Sequence, residues 1–92
     1  MDLSIEQKVK YLERRKPDIE LLYNLINTRN LCEISQIVHK LKGNGATFGY
    51  PEISKISREI EDALLNEKFS LVEIYIHQLE KIVSEELLKL RP

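Results

Sequence analysis

An all-α fold, an antiparallel four-helix bundle with a short or kinked N-terminal helix, follows from three observations. Apolar residues recur three and four positions apart through most of the chain. Gly and Pro total six, and four of the six fall between Gly43 and Pro51. No alternating run of β-branched residues is long enough for a strand. Ninety-two residues are one domain's worth of chain, so residues 1–92 are expected to form a single bundle with a modest core.

Ser4-Ile5-Glu6-Gln7 fits a capping box, and Ile5, Val9 and Leu12 then share a face. Pro17 interrupts the pattern, because proline removes an amide donor but is welcome at a first helical position. A short helix to about Arg15 with a second from Pro17, or one kinked helix, both satisfy this. Ile19, Leu22, Tyr23 and Ile26 form the following stripe. Asn30, with Glu33 three residues later, caps the next helix, which carries Leu31, Ile34, Val38 and Leu41 with Ile37 at the rim. Gly49-Tyr50-Pro51 is a stop and a restart, before a helix bearing Ile53, Ile56, Ile60, Ala63 and Leu64 and ending near Asn66. Ser70-Leu71-Val72-Glu73 resembles a second capping box, with Phe69 and Ile74 placed as a hydrophobic staple. The last helix then presents Val72, Tyr75, Ile76, Leu79, Ile82, Val83, Leu87 and Leu90.

Composition excludes several function classes. With 14 Lys and Arg against 15 Asp and Glu, the formal charge is -1, which argues against a nucleic-acid binder driven by phosphate neutralisation. A single cysteine cannot staple the fold. No apolar run is long enough for a bilayer span, and Met1-Asp2-Leu3-Ser4-Ile5-Glu6 lacks the basic and apolar regions of a secretory signal. A cytoplasmic protein without membrane or nucleic-acid partners is expected, and a monomer. The capped bundle ending at Arg91-Pro92 points to a free-standing protein.

The informative segment runs from Ile37 to Gly49. With Ile34 at zero and about 100° per residue, Val38 and Leu41 fall near it, while His39 lies roughly 140° away. The imidazole therefore points off the core. Its helical neighbours are Cys32, Ser35, Lys42, Gly43 and Ala46, four of them small, where a solvent face usually carries long charged side chains. A side chain at 43 would lie against the ring, and glycine removes that cover. Lys40 and Lys42 before Gly43 also resemble a helix C-terminus, with 44–50 as a loop. Continuation of the helix instead returns Gly45 and Phe48 to the Ile34–Leu41 stripe. Lys42 stands beside His39 at i+3, and Lys40 points further round. An exposed imidazole near an ammonium suits an arriving anion, and phosphoryl transfer chiefly requires in-line approach and positive charge.

His39-Lys40-Leu41-Lys42-Gly43, with Gly49 ten residues after the histidine and Ile53 to Glu61 following, resembles the histidine-containing phosphotransfer (HPt) domains, over about Tyr11 to Leu88. The resemblance implies a helical bundle whose histidine receives a phosphoryl group from a receiver-domain aspartate and passes it to another. Carried over, His39 is the phosphoacceptor, Lys42 the charge partner, Lys40 a weaker one, and Gly43 the space-maker. The two positions after Gly43, often small or hydroxylated in the family, are Asn44 and Gly45 here. Glu61, level with His39 in a hairpin reversing near Tyr50, is expected to accept a hydrogen bond from Nδ1–H and leave Nε2 as nucleophile. The alternative for Glu61 is a solvated charge. Implied partners are response-regulator receiver domains and a hybrid sensor histidine kinase. No cofactor is expected on this chain; a Mg ion belongs to the receiver. No kinase activity is expected.

Competing readings are weaker. Gly43-x-Gly45-x-x-x-Gly49 has the wrong spacing for a phosphate loop and no preceding strand. Cys32 and His39 lie about 10 Å apart along the axis, too far to share one metal ion. His77 is read as a surface histidine, Arg14-Arg15-Lys16 as a solvated turn, and Phe48 and Tyr50 as hairpin packing. A hydrolase lacks a partner nucleophile for His39. A non-catalytic helical adaptor or scaffold is the main alternative.

Overall fold

The computed structural model describes residues 3–91. Met1, Asp2 and Pro92, to which the readings of the two chain ends extend, lie outside the described residues. Four helices follow one another: α1 (Ile5–Thr28), α2 (Leu31–Asn44), α3 (Pro51–Leu65) and α4 (Phe69–Leu90). Each packs against its neighbour in sequence, and α1 closes the ring against α4. Short connections make successive helices antiparallel, as in an up-and-down bundle. The four apolar stripes meet along the axis, where Leu12, Leu22, Ile34, Leu41, Ile53, Ile60, Ile76 and Leu79 are fully buried.

The N-terminal segment is one continuous helix, neither short nor broken at Pro17. An interior proline costs about 3 kcal/mol in a helix. Here the ring is exposed, while Tyr11, Leu12 and Arg15 before it and Ile19, Leu22 and Leu25 after it bury one unbroken stripe. Packing on both sides outweighs the lost amide donor. The Ser4 capping box forms as read, with Gln7 N donating to Ser4 Oγ at 3.1 Å and Ser4 N to Gln7 Oε1 at 3.0 Å. Ile5, placed with Val9 and Leu12 in the sequence reading, is instead exposed. The Arg14-Arg15-Lys16 segment is helix rather than turn, and Arg15 is 8% exposed.

Asn30 caps α2 through Glu33 N at 3.3 Å. Ser70 does not cap α4, which starts one residue earlier, with Lys68 at the cap and no side-chain bond there. Glu67 takes a left-handed φ of 55° and Lys68 N donates to Ala63 O at 2.9 Å, so the turn that closes α3 leads straight into α4 and leaves Ser70 within its first turn.

The α2–α3 hairpin sets the site. Helix α2 does not stop at Gly43: it runs to Asn44, and Gly45 keeps right-handed angles with its N–H on Leu41 O at 3.0 Å. Phe48 is brought back to the core edge, and stacks on Tyr11 with centroids 4.4 Å apart. The glycine that reverses the chain is Gly49, at φ +89°. Pro51 opens α3.

Gly45 is buried against the first turn of α3. A Cβ there would stand 2.7 Å from both the backbone nitrogen and the hydroxyl of Ser54. Ser54 Oγ in turn accepts from Ala46 N at 2.8 Å, tying the end of α2 to the first turn of α3.

Candidate functional site

The α2 stripe Ile34, Val38 and Leu41 is buried, which turns His39 outward, its side chain 73% exposed. From α3, Glu61 approaches the ring. Its Oε2 lies 3.4 Å from His39 Nδ1, at the long end of hydrogen-bond range, and its Oε1 accepts from Lys42 Nζ at 2.6 Å. One carboxylate thus holds both residues of the α2 motif. Among the described residues, His39 Nε2 has no hydrogen-bond partner.

The electrostatics follow from that geometry. The Lys42 hydrogen bond holds the Glu61 carboxyl below its ordinary pKa of 4.5, burial opposes this, and the His39 ring adds to the lowering. A depressed carboxylate pKa stabilises the fold above the ordinary value, and that stabilisation is lost as pH falls through the folded-state value. Near neutrality the wild type should therefore unfold at higher urea than Glu61→Gln. The gap should close on acidification below pH 4.5, as followed by circular dichroism at stepped pH. A gap constant across that range would show that the pair contributes nothing.

Lys40 stands on the other flank. Its Nζ lies 3.9 Å from Asp18 Oδ1 of α1, whereas Lys42 faces α3. The two lysines bracket the histidine without sharing a partner. At Gly43 an added Cβ would meet nothing within 4 Å, so the surface next to the ring is open. All five candidate residues, His39, Lys40, Lys42, Gly43 and Glu61, lie on the outer side of the α2–α3 hairpin or its α1 edge. Sequence reasoning paired Glu61 with His39 and missed its shorter contact with Lys42, which depends on the register of two helices 19 positions apart.

The remaining groups lie elsewhere. His77, on α4, is exposed, with Nδ1 2.7 Å from the Tyr23 hydroxyl, which also donates to Glu80 at 3.0 Å. Burial first, and the Glu80 bond second, push the Tyr23 phenol up to about 12. Cys32 is exposed. Among the described residues no three His, Cys, Asp or Glu side chains group to hold a metal ion. No described helix is long and apolar enough to cross a membrane.

A family model for the Hpt domain matches residues 9–88. The chain belongs to the Hpt domain family. The match covers α2 and α3 whole and most of α1 and α4, and includes every candidate residue. Neither the curated proteins nor the solved structures yield a match. Hpt domains carry phosphoryl groups on histidine within phosphorelays and act as carriers, not kinases. This Hpt domain has the helical bundle that the family resemblance implied.

Proposed function

We propose that His39 of this Hpt domain takes a phosphoryl group from the aspartyl phosphate of one response-regulator receiver domain and passes it to another. A hybrid sensor histidine kinase is the implied source. The observation that carries the reading is an exposed imidazole with Nδ1 facing a carboxylate and Nε2 facing open surface.

The chemistry follows from those contacts. With Nδ1–H toward Glu61, the lone pair lies on Nε2. Nε2 bonds phosphorus as the P–O bond to the aspartate breaks and its carboxylate leaves. The ring gains positive charge in that step, and the Glu61 carboxylate opposite Nδ1–H offsets it. The incoming group is itself anionic. Glu61 does not repel it strongly, because Lys42 already balances the Glu61 charge. An ammonium has three donors, so Lys42 can hold Glu61 and still meet a phosphoryl oxygen. Lys40 adds a weaker field from the α1 side. The loose transition state needs little else from this chain, with a divalent ion expected on the receiver. The domain acts as a monomer without kinase activity of its own.

The test is to mix the full chain with a phosphorylated receiver domain and follow the label. One acid-labile, alkali-stable phosphate per chain is expected. No label with any receiver that is itself phosphorylated, or an acid-stable label, would overturn the reading and leave a helical adaptor. Glu61→Gln should slow uptake roughly tenfold, the worth of one charge-assisted hydrogen bond, with its fold intact by circular dichroism. An unchanged rate would remove Glu61 from the mechanism.

Gly43 separates stability from access. Gly43→Ala should raise stability by about 0.5–1 kcal/mol, because alanine suits a helix interior and its Cβ meets nothing. Gly43→Leu should fold as well but slow transfer, since its side chain leans over the ring. Thermal melts beside transfer rates check both; equal transfer by Gly43→Leu would show that openness at 43 is not needed.

A further inference from the structure

Away from the His39–Glu61 contact, a cleft of about 340 Å³ opens between the first half of α1 and the turn after α2. Gln7, Lys10, Tyr11, Arg14, Arg15, Asn44 and Phe48 line it: three cations, two amides, two aromatic rings and no carboxylate. Arg15 is the unusual member. Its side chain is more than nine-tenths buried, with the guanidinium carbon 4.5 Å above the centre of the Tyr11 ring. Its Nε and Nη1 are buried without a hydrogen-bond partner. Buried guanidinium donors are normally paired, because leaving them unmet forfeits hydration without return.

The nearby carboxylate, Asp18, meets this need only in part, through a salt bridge. Asp18 Oδ2 lies 3.4 Å from Arg15 Nε without a hydrogen bond, and the other oxygen is 3.9 Å from Lys40 Nζ. One negative charge is divided between two cations. Among the described residues, Lys10 and Arg14 are within salt-bridge distance of no carboxylate. Glu13, their neighbour in sequence, is held by Lys16 at 3.3 Å and Arg91 at 2.6 Å. The walls are preorganised: the Tyr11 hydroxyl donates to Asn44 Oδ1 at 2.6 Å, and Phe48 stacks on the Tyr11 ring. Asn44 therefore turns its amide oxygen to Tyr11 and keeps its NH₂ free to donate.

We propose that this cleft binds a small dianionic oxyanion, of the phosphate or dicarboxylate class, with Arg15 at its inner wall and Lys10 and Arg14 at its rim. A guanidinium in the inner wall supplies fixed positive charge to such a group, and flexible ammonium and guanidinium groups at a rim add to it. The site stands independently of phosphoryl transfer at His39.

Amide-resolved NMR of the full chain, titrated separately with inorganic phosphate and with succinate against sodium chloride of equal ionic strength, tests it. Saturable shifts are expected at Tyr11, Arg15, Asn44 and Phe48 with phosphate, succinate or both, and the stronger of the two identifies the class. Arg15→Met removes the charge but risks the Tyr11 packing, so Lys10→Gln with Arg14→Gln is the decisive variant. It should fold and bind about tenfold more weakly. His39→Gln should bind as the wild type does. Shifts that chloride reproduces, an unchanged affinity in the rim double variant, or loss of binding in His39→Gln would each overturn the proposal.

Discussion

Exchanging His39 for glutamine is expected to abolish phosphoryl uptake and leave the bundle almost unaltered. The side chain is 73% exposed and its one polar partner among the described residues, Glu61, is 3.4 Å away, so its removal costs little packing. Exposed substitutions of this kind usually change stability by less than about 0.5 kcal/mol. Lys42 keeps its bond to Glu61 in the variant, and the α2–α3 connection survives. Uptake fails for a chemical reason: an amide nitrogen has no lone pair able to displace an aspartyl carboxylate. His77 does not compensate, since it projects from α4, which packs on α1 and α3 and not on α2, and its Nδ1 is already bonded to Tyr23. The measurement is label transfer from a phosphorylated receiver beside a thermal melt. Label retained by His39→Gln and lost by His77→Gln would move the site to α4.

The second large effect is on stability. Gly45→Ala should destabilise the fold by about 2 kcal/mol. For a chain of this size that lowers the melting temperature by roughly 10 °C. Backbone conformation alone predicts the opposite sign, because Gly45 has φ -54° and ψ -55°, where alanine is the better residue. The steric argument prevails. The new methyl would sit 2.7 Å from a backbone nitrogen and a hydroxyl of Ser54 and 3.0 Å from Tyr50 O, and two of those three atoms are main chain. Relief requires the hairpin to open, which also strains the Ala46 N to Ser54 Oγ bond. Gly43→Ala, two residues away in the same helical turn, is the internal control with the opposite expected sign. A Gly45→Ala protein as stable as the wild type would show that the hairpin yields without cost.

Much of this was legible in the residue order. The spacing of Ile34, Val38 and Leu41 places His39 outside, and Gly49 with Pro51 marks the reversal that brings α3 beside it. What the sequence concealed depends on partners distant in the chain. Pro17 reads as a break by local rules, and only the continuous burial from Tyr11 to Leu25 shows why the helix passes through it. Ser70 has the right neighbours for a cap, yet the left-handed Glu67 sets the start of α4. Arg15 reads as solvated although Tyr11 lies one turn before it on the same face; what the residue order conceals is the packing of the other helices that encloses the pair. The crowding at Gly45 is equally invisible without α3 in place.

The Lys42–Glu61 pair has a bearing on how firmly a relay intermediate would be gripped. A cation kept wholly for the transferred group would sink the loaded form into a deep well, and the onward step would have to climb out of it. Here that cation is already spoken for at 2.6 Å. Every oxygen that draws on Lys42 competes with a carboxylate that recovers it on departure. If His39 carries the group as proposed, that competition draws loading and unloading toward energetic parity, as a go-between serving two receivers requires.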